Sequence, residues 1–458
     1  MEKPYRLFCP ACGVEQETHA LRCSGCGGLL GVELLRVVAP SERHPFAGAP
    51  GIGAMWLANP VLPVVDADSI VSLGEGGTPC LPAAHIGRAE GIAVWLKNET
   101  ANPTGSFKDR QVSVGISHAL EVARSGGGDR DPGRGPGSTQ PRALRFRSEL
   151  ALSLPKGQAA VPHGGRATGP EFYVVSSGNV AAAAAAYCAR AGASCWVIAP
   201  ASAPTGKLLQ IQLCGAGVMR VRSGSARQLF ELAEEAAGEF GWHSLSTAAR
   251  ANPFNVVGAR TIAGEILSQM PAPDWVIAPV GGGGLLGSVW QGFKEAARVA
   301  AGVRRPRMAG VQAAGCAPFV QAVQQRRSAA EALANPWPNA RTIAGGLADD
   351  IPFDAHLALP AISESEGLAV AVTDDEIREA QRLLARQEGL FIEPSGAVSA
   401  AGLLKLVRDG QVSRGKTACC LLTGSGLKDP ASVGELPEPP VIGPDIEELR
   451  RVVNTAGG

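Results

Sequence analysis

The sequence predicts an α/β protein built on mostly parallel sheets, preceded by a small cysteine-bearing segment. Three observations predict it. Short apolar runs at Ala93–Leu96, Phe172–Val175, Cys195–Ala199, Trp275–Pro279 and Thr417–Leu422 read as buried strands. Helical patterns at Val112–Ala123, Val180–Ala191, Ala226–Glu239, Leu285–Ala301 and Asp374–Gln387 alternate with them. Parallel strands need crossover connections, so this alternation places helices on both faces of the sheet. Finally, two Cys-x-x-Cys pairs lie within the first 26 residues, ahead of the α/β pattern.

Composition bounds the function classes. The chain has 458 residues, 45% apolar and 18% charged, with 42 Lys+Arg balancing 42 Asp+Glu. A folded globular protein is expected, with no basic excess to draw nucleic acid or an anionic membrane. The most apolar stretch, Val180 to Val197, is mostly alanine and carries Arg190, so no spanning helix is expected. No apolar run precedes Cys9, so no secretory signal is expected either. An odd count of 11 cysteines argues against a disulfide framework and for a reducing cytoplasm.

Along the chain, Cys9-Pro-Ala-Cys12 and Cys23-Ser-Gly-Cys26 are each followed by glycine. Two such turns can present four thiolates as a tetrahedron, so Cys9, Cys12, Cys23 and Cys26 are expected to hold structural zinc. A redox role fits less well, because no βαβ pattern surrounds either pair. From about Leu30 the α/β pattern takes over. Ser125–Pro170 interrupts it with ten Gly and six Pro in 46 residues. Such a segment buries too little apolar surface to offset its ordering entropy, so a disordered insertion is expected over 125–170.

Four segments at strand ends carry chemistry. Asn102-Pro103-Thr104-Gly105-Ser106-Phe107-Lys108-Asp109-Arg110 follows a strand and precedes a helix, with a turn at Asn102–Gly105 and Ser106 as the expected helix cap. Lys108 then stands at the C-terminal edge of a parallel sheet, where ligands bind, and its amine suits a carbonyl cofactor. Ser176-Ser177-Gly178-Asn179 leads from a strand into an alanine-rich helix. Its amides can hold a carboxylate, although alone it reads as an ordinary strand-turn-helix. Gly281-Gly282-Gly283-Gly284 opens a helix and leaves amides free to wrap an anion. It matches neither a dinucleotide fingerprint nor a P-loop, which leaves the phosphate of a small cofactor as its natural guest. Thr423, at the head of Gly424-Ser425-Gly426-Leu427-Lys428-Asp429, puts a neutral hydroxyl at the tip of a strand.

Together these segments resemble the fold-type II family of pyridoxal-phosphate (PLP) enzymes, and within it the threonine synthase group. The matching stretches are Gly74–Pro79, Asn102–Arg110, Ser176–Asn179, Ala199–Gln210, Gly281–Leu285, Glu393-Pro394-Ser395-Gly396-Ala397 and Thr423–Asp429. The resemblance implies a tryptophan synthase β-like fold of two doubly wound domains. The expected divisions are a zinc ribbon at 1–35, a large domain at 36–105 and 223–458, and a small domain at 106–222 that carries the insertion. It also implies that Lys108 binds PLP covalently and serves as base at the substrate α-carbon. Asn179 should bond the ring hydroxyl, Gly281, Gly282, Gly283 and Gly284 should cradle the phosphate, and Thr423 should face the pyridine nitrogen. A hydroxyl there leaves the ring nitrogen neutral, which suits elimination and replacement over transamination. Thr104, Ser177 and Gly178 should meet the substrate carboxylate.

The chain departs from the family pattern where the substrate phosphate is bound. Asn255 stands at the expected arginine, and Val180 replaces the threonine that usually follows the asparagine. Arg250 and Arg260 are the candidates to take over. The function implied is a PLP-dependent lyase converting O-phospho-L-homoserine and water to L-threonine and phosphate, in amino-acid biosynthesis. A serine/threonine dehydratase-like or cysteate synthase-like reaction on another amino acid is the second reading. A non-catalytic binding protein that kept the fold is the third. A small amino acid is the expected partner, and a homodimer is left open.

Overall fold

The N-terminal cysteines sit on a small antiparallel sheet of β1 (Tyr5–Phe8), β2 (Glu15–Gln16) and β3 (Gly31–Leu34), in the order β2-β1-β3. The computed structural model describes residues 3–17, 20, 22–35, 52–57, 62–125, 170–203, 205–222, 226–434, 436 and 438–456. Apart from its two end residues, the insertion expected over 125–170 lies outside the described residues. Tyr5, Leu7, Val32 and Leu34 point inward from β1 and β3. They share one apolar cluster with Met55, Trp56, Val114, Phe254 and Val257. The ribbon is therefore packed against the rest of the chain through a common core.

The larger sheet has six strands in the order β12-β11-β10-β13-β5-β4. These are β4 (Cys80–Pro82), β5 (Ala93–Asn98), β10 (Trp275–Pro279), β11 (Arg307–Ala313), β12 (Leu368–Val372) and β13 (Thr417–Leu422). All neighbours run parallel except the edge strand β4, which is antiparallel to β5. The central strands are apolar on both faces because both faces are covered. One face packs on α10 (Asp374–Gln387) and α11 (Pro394–Arg408). The other packs on α5 (Thr261–Gln269), α6 (Gly284–Val299), α7 (Pro318–Gln324) and α9 (Ala355–Glu364). A short α8 (Ala329–Ala334) joins α7 and α9 through Ala322, Ala332 and Ala355, and α12 (Ile446–Ala456) ends the described chain.

The smaller sheet has the order β8-β7-β6-β9, all parallel, from β6 (Phe172–Val175), β7 (Cys195–Pro200), β8 (Gly217–Val221) and β9 (His243–Ser244). Its one face carries α1 (Lys108–Arg124), α2 (Asn179–Ala191) and α3 (Thr205–Leu213). The alanines of α2 let that helix lie close to the strands. Leu229 and Ala233 of α4 (Ala226–Phe240) cover the opposite face. Because β9 pairs with β6, this sheet continues past the boundary expected at residue 222, to Ser244.

The start of α1 differs from expectation in one respect. Ser106 does not cap the helix; the flanking residue is Phe107, which makes no side-chain cap. Ser106 is instead held in a bridge to Gly424, and the Phe107 amide donates to the Thr423 carbonyl at 3.1 Å. Those two contacts bind the loop before Lys108 to the tip of β13.

Candidate active site

Lys108 is the first residue of α1, and its approach is set by a turn at Gly105. Gly105 has a φ of +82°, which glycine adopts without steric cost, and its amide donates to the Asn102 carbonyl at 2.8 Å. Behind the turn, a buried ionic network fixes the first turn of α1. Arg110 binds Glu99 at 2.7 Å and Glu265 at 2.6 Å, and Lys97 binds Glu265 at 2.6 Å. Burial alone would raise the Glu265 carboxyl, but Arg110 and Lys97 outweigh it and hold the group down to about 2. The Lys108 Nζ donates to Thr247 Oγ1 at 2.7 Å and to Gln111 Oε1 at 3.2 Å. Desolvation lowers its amine to about 8, against the opposing pull of Asp349, Asp354 and Glu393.

The glycine loop opens α6 from the tip of β10. Gly283 has a φ of +104°, and a side chain there would meet Ala358. The Asp354 amide donates to the Gly282 carbonyl at 2.7 Å, while its carboxylate accepts from the Ala249 amide at 2.8 Å. Asp354 thereby ties the segment bearing Thr247 and Arg250 to the glycine loop. Burial raises its carboxyl to about 7 and that of Asp349 to about 6. An Asp349 oxygen lies 2.7 Å from where a Cβ on Gly281 would stand, and an Asp354 oxygen lies 2.6 Å from that of Gly284. Neither aspartate was singled out in the sequence, because an acid in a loop ordinarily reads as a solvated group.

Asn179 begins α2, and its Nδ2 donates to Glu393 Oε1 at 2.8 Å. Glu393 in turn lies against Gly424, the neighbour of Thr423, so Asn179 sits beside the tip of β13 that carries Thr423. Desolvation raises the Glu393 carboxyl to about 7. The Lys428 Nζ is buried with no hydrogen-bond partner, and the Ser106 hydroxyl is likewise buried without one. Ser177 is half-buried and Gly178 is exposed, its amide donating to Ser176 Oγ at 3.1 Å. The Thr104 hydroxyl donates to Asp109 Oδ1 at 2.5 Å, so that hydroxyl is engaged within its own loop.

The residues present fit PLP. A largely desolvated amine, a glycine loop at a helix N-terminus, an amide side chain and a buried hydroxyl are linked through Asp349, Asp354 and Glu393, which all act on Lys108. The unpartnered Ser106 hydroxyl, two residues before Lys108, is a polar atom left for a ligand to satisfy.

The arginine candidates separate. The Arg260 guanidinium binds Glu295 at 2.7 Å and the Val32 carbonyl at 2.8 Å, so it docks the ribbon rather than serving the cleft. Arg250 stacks 4.9 Å over the Phe353 ring, whose Cβ lies 3.4 Å from the Cβ position of Gly282. It therefore lies beside the glycine loop. Asn255 is fully buried, donates to the Ser246 carbonyl at 2.7 Å and lies so close to α1 that a side chain on Gly115 would collide with it.

In the ribbon, the Sγ atoms of Cys9, Cys12, Cys23 and Cys26 all lie within 4.8 Å of one another, with Cys9–Cys26 and Cys12–Cys23 at 3.5 Å. Tetrahedral zinc with Zn–S of about 2.3 Å places its sulfurs about 3.8 Å apart, so the set fits zinc. Gly13 and Gly27, at φ of +75° and +69°, close the two turns. Four thiolates fill the coordination sphere and leave no position for reactive water, so the ion they suit is structural.

Comparison with known proteins gives the family. The family described as pyridoxal-phosphate dependent enzyme matches residues 71–134 and 152–424. The chain is 37% identical over 404 residues to the threonine synthase of Methanocaldococcus jannaschii, covering 87% of each chain. It is 35% identical to that of Mycobacterium tuberculosis, over 88% of this chain and 97% of the relative. The Methanosarcina acetivorans threonine synthase is 32% identical over 98% of both chains. Among solved structures, threonine deaminase isoform 2 of Solanum lycopersicum superposes with a TM-score of 0.55 at 19% identity, over 83% of this chain and 88% of that one. Maize serine racemase gives 0.56 at 19% identity, over 83% and 92%; likeness at that identity speaks for the fold alone. No described helix is long and apolar enough to cross a membrane. The chain belongs to the fold-type II pyridoxal-phosphate dependent enzymes, as a lyase of the threonine synthase family.

Proposed function

We propose that this enzyme converts O-phospho-L-homoserine and water to L-threonine and phosphate, with Lys108 as the residue that binds PLP and moves the proton. The observation that carries the reading is the Lys108 amine, desolvated to about 8 at the head of α1 and hydrogen-bonded to Thr247. A poised amine of this kind attacks a carbonyl when neutral and takes up a proton at a pH near its own pKa. PLP, when bound, supplies the electron sink that makes the substrate α-proton acidic. Lys108 takes that proton, and a β-proton is also lost as phosphate leaves the γ-carbon. The γ-carbon takes up a proton, water gives its hydroxyl to the β-carbon and its proton to the departing phosphate, and Lys108 returns a proton to the α-carbon. Asn179 and Thr423 orient the ring from beside Glu393, and the Ser177–Gly178 turn receives the substrate carboxylate, the Gly178 amide giving up its bond to Ser176 Oγ to do so. Kinship with threonine synthases supports the substrate.

Arg250 is the proposed anchor for the substrate phosphate. Incubation with O-phospho-L-homoserine should release inorganic phosphate and threonine in equal amounts. Arg250→Ala should lower kcat/KM by about a hundredfold, the scale of a lost charge-assisted contact to phosphate. Asn255, turned into the α1 packing, favours a second reading of elimination or β-replacement on an unphosphorylated amino acid. That reading gains if phosphohomoserine turns over weakly, Arg250→Ala changes nothing, and serine or threonine gives ammonia and an oxo acid.

A further inference from the structure

We propose that the Asp349 carboxylate occupies the phosphate's place on the glycine loop in the cofactor-free chain, and must leave it for PLP to bind. The inference rests on reading Gly281–Gly284 as the seat of the phosphate. Backbone amides at the start of a helix favour an anion. In this chain an anion is already supplied from within. An Asp349 oxygen lies 2.7 Å from the Cβ position of Gly281 and 3.6 Å from that of Gly282. The Gly282 amide favours the charged form of that carboxylate.

Asp349 differs from its neighbour in what holds it. Asp354 is almost wholly buried and is fastened by the Ala249 amide. Asp349 as a residue is only partly buried. Its main chain is held separately, since the Cys316 thiol donates to the Asp349 carbonyl at 3.2 Å. On this proposal the side chain turns out while the backbone stays in place. The charged and titratable groups facing it are Lys108, Asp350, Asp354 and Cys316. Lys108 attracts the carboxylate inward while its amine is protonated. A phosphate dianion and a carboxylate cannot share the same amides without strong repulsion at this distance. Asp349 would then discriminate by cofactor phosphorylation, lowering affinity for PLP while leaving that for pyridoxal, which has no phosphate, untouched.

The test strips cofactor from the full-length protein and titrates it with PLP and with pyridoxal, reading equilibrium affinity from the visible band of the lysine-bound ligand. Asp349→Asn should tighten PLP by about tenfold or more, because the charge is gone while the shape remains. Asp349→Ser should do the same, and pyridoxal affinity should stay within about twofold in both. Retained pyridoxal binding also shows that each variant has folded. Equal tightening of both ligands would mean that the change acts through the Lys108 amine, and would overturn the proposal. Weaker PLP binding would show that Asp349 helps to hold the cofactor, and loss of pyridoxal binding in both variants that the loop needs the acid; either overturns it. A wild-type protein that binds PLP but gives these results fails this inference alone, whereas one that binds neither ligand fails the cofactor reading as well.

Discussion

Lys108 was legible as a lysine at a strand-to-helix junction because the turn residues before it, Asn102 to Gly105, have few other uses. What the sequence could not express was its surroundings. Asp349, Asp354 and Glu393 come from two distant segments, and only the fold brings them around one amine. Arg260 shows the same limit from the other side. As a residue type it suited phosphate, but Glu295 and the Val32 carbonyl claim it. Thr104 suited a substrate carboxylate, and its hydroxyl is bonded to Asp109. The lowered amine has a direct kinetic consequence. The cofactor-free protein should capture PLP faster as pH rises through about 8, because the neutral amine is the nucleophile. Stopped-flow absorbance across pH 6 to 10 reads this, and a profile still climbing steeply near the ordinary lysine value would contradict the desolvation.

At the scale of elements, the helices and central strands were readable from periodicity, whereas β11 was not. Its Arg307-Met-Ala-Gly-Val-Gln-Ala run carries an arginine and a glutamine, yet Gln312 is buried and accepts from the amides of Phe319 and Val320 at the head of α7. A buried polar group with partners inside the fold imitates a surface residue in the sequence. The Arg110–Glu265–Lys97 network, which joins α1, α5 and β5, was hidden for the same reason. Removing the shared carboxylate leaves two buried cations short of a partner, so Glu265→Gln should cost about 3–5 kcal/mol of stability. The Glu265 carboxyl sits near 2 in the fold against an ordinary value of 4.5, so its contribution is complete above the ordinary value and lost as pH falls toward 2. Denaturant midpoints at pH 7 and pH 3 should show the variant's deficit shrinking in acid, and an unchanged deficit would mean that the charge is not the cause. In the ribbon, elemental analysis should find one zinc per chain. Cys23→Ser should lose it and loosen the cluster shared with Phe254 while sparing most turnover. Protein purified without chelators and found to hold no metal would defeat that assignment.

For the whole molecule, the alternation of strands and helices told the class of fold, and the segments at strand ends told the chemistry, because parallel sheets gather such ends along one edge. Neither told how far the second sheet runs. The two-residue strand β9 completes it from beyond a helix, and its His243-Ser244 carries no apolar signal. The ribbon's place was also unreadable, since Tyr5 reaches His118 on α1 at 2.9 Å across a separation no local pattern reports. The two sheets and the ribbon nevertheless converge on one helix, α1, whose first residue is the proposed cofactor lysine. Borohydride reduction of the yellow protein, followed by peptide mapping, tests that claim most directly. The account predicts loss of the colour and a single phosphopyridoxyl adduct on Lys108, absent from Lys108→Ala. An adduct on any other lysine, or none at all, would contradict it.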